Sequence, residues 1–444
     1  MTLARELARY AITATDAGIP AAALHEAKRS LVNWIGCAVG GSTHPAVDKT
    51  IAALLPFAAG NQCSILGRHE RTDALHAALI NGLSAHVLDF DDTHLRTLLH
   101  PSVPVASSLL ALAERQPMNG RDFLLAFIVG VEIECRIANA IWFAHNSHWY
   151  ITGTAGVFGA AAASARVLGL DEDQTTHALG IACAQAAGTR EMAGTMTKAF
   201  IHGRAAQNGL LAALLAQQGF TAAESSLEGP HGFANVLAPE HDLKAIAAGL
   251  GTTYEILQNS YKPYACGVVA HPAIDACIQL RNEHQLRAAD IERVALRVSP
   301  RALELTGIQS PPNGLKSKWS IYHSAAVALV DGTAGEHQYT DERVNAPEIR
   351  ALRASIIATA DAQLKEIAAI VTVTLKNGKT HTKLVEKVIG SAENPMSDGD
   401  LENKLRGLAQ GILPEARTAA LIALTWRVAE LDDVTQLARA ASPE

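Results

Sequence analysis

The chain has 444 residues, with 37 Lys and Arg against 44 Asp and Glu and a formal net charge of −7. This mildly acidic balance argues against a nucleic-acid or anionic-membrane partner. Hydrophobic residues make up 48% and charged residues 18%, which excludes a largely disordered chain, and the length suits two or three domains. Aromatics are only 5%, so the apolar content is mainly Ala, Leu, Val and Ile, as in closely packed helices. No apolar run approaches the roughly 18 residues of a membrane-spanning helix. The opening MTLARELARYAITATDAG carries Arg and Glu in its first turns and no apolar run, so a signal peptide is not expected there. Cys37, Cys63, Cys135, Cys183, Cys266 and Cys277 form no CxxC pair, so neither a disulfide framework nor a zinc site is expected, and a reduced, cytoplasmic protein is.

In chain order, the pattern is helical to about residue 260. AAALHEAKRSLVNWIGCAVGG and GRDFLLAFIVGVEIECRIANAIW repeat apolar residues three and four apart, and TAGVFGAAAASARVLGL is apolar nearly all round, as a buried helix must be. Beyond residue 260 the texture changes. IERVALRVSP alternates as a strand does, and AAIVTVTLKNGKTHTKLVEKV reads as a hairpin about Asn377-Gly378, with the helix SIYHSAAVALVDG lying between the two. The helical pattern returns after NPMSDGDL. The expected fold is mainly α: a large all-helical domain, residues 1–262 joined by 396–444, plus a smaller α+β domain, residues 263–395.

Five segments concentrate titratable groups. HVLDFDDTHLRTLLHP (86–101) holds three carboxylates, three histidines and Arg96. Asp and His are metal ligands, but no HExxH or comparable motif appears, so no metal is expected. AHNSHWYITGTAG places His145, His148 and Tyr150 before a helix start, where free N–H groups favour anions. GTREMAGTMTKAFIHGRAAQNG sets Lys198 among small residues; a desolvated lysine there is a usable base, and an exposed one is the plain alternative. NSYKPYACGVVAHPAIDA carries Lys262, Tyr264, Cys266 and His271, and LKSKWSIYHSAAVAL carries Lys318, Tyr322 and His323. Taken singly, each segment is equally a solvated loop or helix start. No GxGxxG, GxxxxGK[ST] or GxSxG motif occurs, so dinucleotide, nucleoside triphosphate and serine-hydrolase chemistry lack support.

Read together, ALINGLSAHVLDFDDTH…HPSVPV, TMTKAFIHGRAAQNGLLAALLAQQGFTA, YKPYACGVVAHPAIDA, KWSIYHSAAVALVDG and NPMSDGDLENKLR resemble the MmgE/PrpD family along nearly the whole chain. The resemblance implies a large helical domain with a smaller α+β lid, no metal and no organic cofactor. It also implies proton transfer next to a carboxylate of a small polycarboxylate. Family site positions fall on Asp89, Thr93, His100, His148, Lys198 and Lys262. Two departures stand out. The dehydratase and decarboxylase pattern has a histidine where this chain has Gly267, and a tyrosine where it has His323, with Tyr322 one place earlier. Trp149-Tyr150 is an added aromatic pair after His148. These departures set the site apart from the lyase pattern, and the resemblance within the family implies epimerisation of iminodisuccinate, with dehydration or decarboxylation of a small tricarboxylic acid as the alternative. Lys198 is the expected base or acid, opposed by Tyr150 or His148 with His100 beside them. Asp89, Thr93, Arg96, Arg190, Lys262 and His323 are the expected substrate ligands. A homodimer is expected, and the small-molecule substrate is the only other partner.

Overall fold

A computed structural model describes residues 1–145 and 148–443. By contacts the chain divides into two units. The first is Met1–Val87, Asp91–Ser260 and Ser397–Glu444; the second is Leu88–Phe90 and Tyr261–Met396.

The first unit contains helices α1 (Leu3–Thr13), α2 (Ala21–Gly41), α3 (Pro45–Leu54), α4 (Ala74–Val87), α5 (Ser102–Ala113), α6 (Gly120–His145), α7 (Ile151–Val167), α8 (Glu172–Cys183) and α9 (Met196–Gln217). Local signals set their starts: Thr2 caps α1, Pro45 opens α3 behind His44, and Asp171 with Gln174 forms a capping box on α8. Helices α4, α5 and α7 are buried almost all round. Small residues allow this. At the α4–α9 crossing a Cβ on Gly203 would stand 2.3 Å from the Leu79 carbonyl oxygen, and one on Gly82 would stand 2.9 Å from the Gly203 Cα. Backbone therefore meets backbone, and side chains beside the crossing are pressed together. Helix Asp398–Ala409 returns to α2, where a Cβ on Gly40 would lie 2.8 Å from Leu408 Cδ2. The unit also holds two ribbons, Cys63–Ser64 with Arg71–Thr72 and Thr93–His94 with Asn259–Ser260. The all-helical expectation missed them because two-residue strands carry no periodicity.

The second unit contains α10 (His271–Glu283), α11 (Ile321–Asp331) and α12 (Pro347–Ala354), with strands β1 (Ile291–Val298), β2 (Ile356–Ala360), β3 (Ala369–Leu375) and β4 (Thr380–Val385). The sheet order is β2-β1-β3-β4; β1 and β2 are parallel and the other pairs antiparallel. Gly378 turns the β3–β4 hairpin at φ +83°, and Gly332 ends α11 at φ +74°. Leu88–Phe90, which the sequence division left in the helical domain, belongs to this unit. Lys262 Nζ donates to the Asp89 carbonyl at 3.0 Å and Lys318 Nζ to the Leu88 carbonyl at 2.6 Å. These long-range bonds leave no mark in the local pattern. No helix among the described residues is long and apolar enough to cross a membrane.

Candidate active site

The close α4–α9 crossing brings His86, near the end of α4, against His202 of α9. Their rings stack with centroids 3.4 Å apart and planes 9° apart. His100, in the segment entering α5, stands edge-on to both at 4.6 and 5.3 Å. Tyr150, at the start of α7, has its ring 5.9 Å from that of His202. Lys198, in the first turn of α9, places Nζ 5.8 Å from the centre of the Tyr150 ring. Lys198 is 7% exposed and His100 8%.

Hydrogen bonds fix the imidazoles. The His100 backbone N–H donates to Thr152 Oγ1 at 3.0 Å, and its Nδ1 lies 2.8 Å from the Asp92 carbonyl oxygen. Asp91 and the Thr93 hydroxyl stand 3.3 and 3.4 Å from the same nitrogen. His202 Nδ1 faces the Lys198 carbonyl at 2.8 Å, and His86 Nδ1 faces Asp91 at 2.9 Å. Carbonyls and carboxylates accept, so each Nδ1 carries the hydrogen. The Nε2 atoms of His86 and His202 are buried with no hydrogen-bond partner among the described residues.

The electrostatics follow from burial. Desolvation pulls His86 down to about 3 against the attraction of Asp91. Desolvation, then His86, His100 and Lys198, hold His202 well below the usual range. Burial pushes the Asp91 carboxyl up, but His100 and His86 outweigh it and keep the group well below its ordinary value. Asp92 is pushed up to about 6 by burial, although Ser102 Oγ donates to it at 2.5 Å and Asn259 Nδ2 at 2.6 Å. Glu134 of α6 is fully buried with both carboxyl oxygens lacking a partner among the described residues. Burial and Asp92 push it well above the carboxylate range.

His86, His100 and His202 bring their ring nitrogens within 4.8 Å of one another. Ring planes 9° apart and stacked at 3.4 Å do not meet at short range, so an ion shared by His86 and His202 would sit out of the plane of at least one ring. That is a poor fit to the short in-plane bonds of a tri-histidine metal site.

Thus Lys198, Tyr150, His100 and Thr93 gather in one part of the first unit. His148 is exposed in the turn after α6, its carbonyl accepting the Arg190 N–H at 2.9 Å, and Arg190 is half-buried. Arg96 is exposed in the turn before Leu98. In the second unit, Lys262 Nζ pairs with Asp89 Oδ1 at 2.9 Å. His323 is fully buried on α11, its Nε2 2.8 Å from the Gln338 carbonyl oxygen, and desolvation lowers it to about 4. Cys266 is buried and its thiol pushed up to about 11, consistent with a packing role. Sequence reasoning gave no role to His202. Its spacing of four from Lys198, one helical turn, is the signal that could have found it.

This arrangement joins a desolvated amine, a phenol and oriented imidazoles in a mainly helical framework, a set suited to moving protons without a bound cofactor. The MmgE/PrpD N-terminal domain model matches residues 5–246 and the MmgE/PrpD C-terminal domain model matches residues 264–428; the chain belongs to the MmgE/PrpD family. It is 28% identical to the cis-aconitate decarboxylase of Aspergillus terreus over 463 residues, covering 97% of this chain and 94% of the relative. It is also 28% identical to the Mus musculus cis-aconitate decarboxylase, over 94% of this chain and 88% of that one. The 2-methylcitrate dehydratase of Cupriavidus necator is 27% identical over 82% of this chain and 81% of its own length. These relatives are enzymes.

Proposed function

We propose that the chain is a cofactor-independent enzyme that removes and returns a proton at the carbon next to a carboxylate of a small polycarboxylate, and that its reaction is epimerisation of iminodisuccinate. The observation that carries the proton-transfer reading is the buried Lys198 amine beside the Tyr150 ring, at 5.8 Å. Inversion needs a base on one face of the carbon and an acid on the other, with donors or cations beside the developing enediolate. Lys198 takes the proton and the Tyr150 hydroxyl returns one from the opposite face. His100, its Nδ1–H committed to the Asp92 carbonyl, offers Nε2 to the substrate. His86 and His202 are positioning residues that hold the Lys198 end of α9 against α4. Within the first unit, Thr93 and Arg190 bind or order the substrate carboxylates. The choice of epimerisation rests on the resemblance drawn from the sequence, together with Gly267 and His323 standing where the lyase pattern has other residues. The enzyme works as a cytoplasmic homodimer in this reading, which light scattering tests for oligomeric state.

A second reading, decarboxylation or dehydration of a small tricarboxylic acid, is favoured by the relatives named above. Incubation with one stereoisomer of iminodisuccinate, with cis-aconitate and with 2-methylcitrate separates the two. Loss of optical activity from the R,R or S,S isomer of the first alone, without carbon dioxide or a new alkene, supports the epimerase. Carbon dioxide from cis-aconitate, or ultraviolet absorption growing with 2-methylcitrate, replaces it with a lyase.

A further inference from the structure

The α+β unit contains a cavity of about 620 Å³ formed by its own residues, a volume typical of small-molecule sites. Its polar wall comprises Arg350 and Arg353 of α12, Tyr322 of α11, and Asn345, Gln309 and Ser310; edge strand β2 supplies the apolar part. Among the described residues no Asp or Glu lines it.

Arg353 is 9% exposed and donates through Nη1 to the Val344 carbonyl at 3.3 Å, and among the described residues it has no carboxylate partner. The contrast with Arg343 in the same unit is direct: that guanidinium is paired with Asp331 at 2.5 Å and also with Glu348. A buried cation without a counter-charge is costly unless something anionic meets it. Arg350 stands one helical turn before Arg353 on the same face. Tyr322 is 7% exposed, and its hydroxyl has no protein partner among the described residues. Cations in the last turn of a helix do favour its carbonyls. That effect does not explain why a phenol from another helix and two amide side chains line the same cavity.

We propose that this cavity binds a small anionic metabolite bearing carboxylate or phosphate groups, clamped by the guanidiniums of Arg350 and Arg353 with Tyr322 donating a hydrogen bond. None of its lining residues belongs to the cluster around Lys198, so the site is additional to the catalytic one. Two forks suit an anion with two charged groups.

The test is calorimetric titration of the full chain at low ionic strength with inorganic phosphate and, separately, citrate. Which of the two binds identifies the headgroup chemistry. Arg353→Met weakens binding about 10- to 100-fold and Arg350→Met about tenfold, as expected for lost charge-assisted bonds. Arg353→Lys recovers only part of the loss, because an ammonium has no fork. Lys198→Ala leaves this binding unchanged, which separates it from citrate held at the catalytic cluster. Equal affinities in the wild type, Arg350→Met and Arg353→Met, or no binding of either anion, overturn the proposal. Should Arg353→Met fail to fold, the exposed Arg350 decides the matter alone.

Discussion

Replacing Asp92 by Asn tests the buried electrostatics behind His100. The Asp92 carboxyl accepts hydrogen bonds from Ser102 and Asn259, while its Oδ1 has no partner among the described residues. Burial raises its pKa from the ordinary 3.8 to about 6. The native state therefore holds this proton more tightly than the unfolded chain does. The stabilisation is fully present below pH 3.8 and is lost as pH rises through about 6. At about 1.4 kcal/mol per pH unit, the change amounts to about 3 kcal/mol. Asparagine is neutral throughout, keeps an oxygen for both donors and leaves the Asp92 backbone carbonyl to hold His100. Asp92→Asn should thus be more stable than the wild type at pH 8, by up to about 3 kcal/mol, and should lose less stability between pH 4 and 7. Part of the decline should remain, because Glu132 and Glu134 are raised as well and act with the same sign. Urea denaturation followed by circular dichroism near pH 5, 6.5 and 8 measures this. A variant less stable than the wild type at pH 8, or one with an unchanged pH dependence, would refute the reasoning.

Further outcomes follow from the same geometry. Tyr150→Phe should lower kcat by about 10²-fold or more in steady-state assays, as for a lost general acid, whereas His148→Ala, at an exposed position, should change it only a few-fold. Gly203→Ala forces a methyl to within 2.3 Å of the Leu79 carbonyl and should destabilise the fold by about 1–3 kcal/mol in thermal unfolding. Arg136→Met removes a buried cation held by Glu132 at 2.5 Å and by the Ala248 and Thr253 carbonyls at 2.6 and 3.1 Å. Glu132, left with the Glu255 N–H at 2.7 Å but no counter-charge, should cost about 3–5 kcal/mol. Activity should survive EDTA and desalting; a loss restored by a divalent metal would make His86, His100 and His202 ligands after all.

What the sequence displayed, and what it hid, divides by range. The hairpin about Asn377-Gly378, the β1 strand and the helix closed by Gly332 were legible because turn chemistry and apolar period act locally. Strand β2 was not: five residues at a sheet edge, Ile356–Ala360, present too short a pattern and pair in parallel with a strand some sixty residues earlier. The polar run around residues 86–101 was visible as a cluster, and Lys198 as a lysine among small residues. The stacking of His86 on His202 was invisible, since it depends on Gly82 and Gly203 allowing two helix backbones to touch. Resemblance to the family supplied the candidate positions together. It could not say that Tyr150 stands with Lys198 while His148 is exposed, or that Arg96 is exposed in a turn.

The central claim is proton transfer by Lys198, and deuterium wash-in measures it. One stereoisomer of iminodisuccinate is incubated in D₂O with the wild type and with Lys198→Ala, and the inverted carbon is followed by NMR. The account predicts one deuteron at that carbon in the wild-type product and a labelling rate at least about 10²-fold lower in the variant. Inversion without solvent deuterium, or equal labelling by the variant, would contradict it.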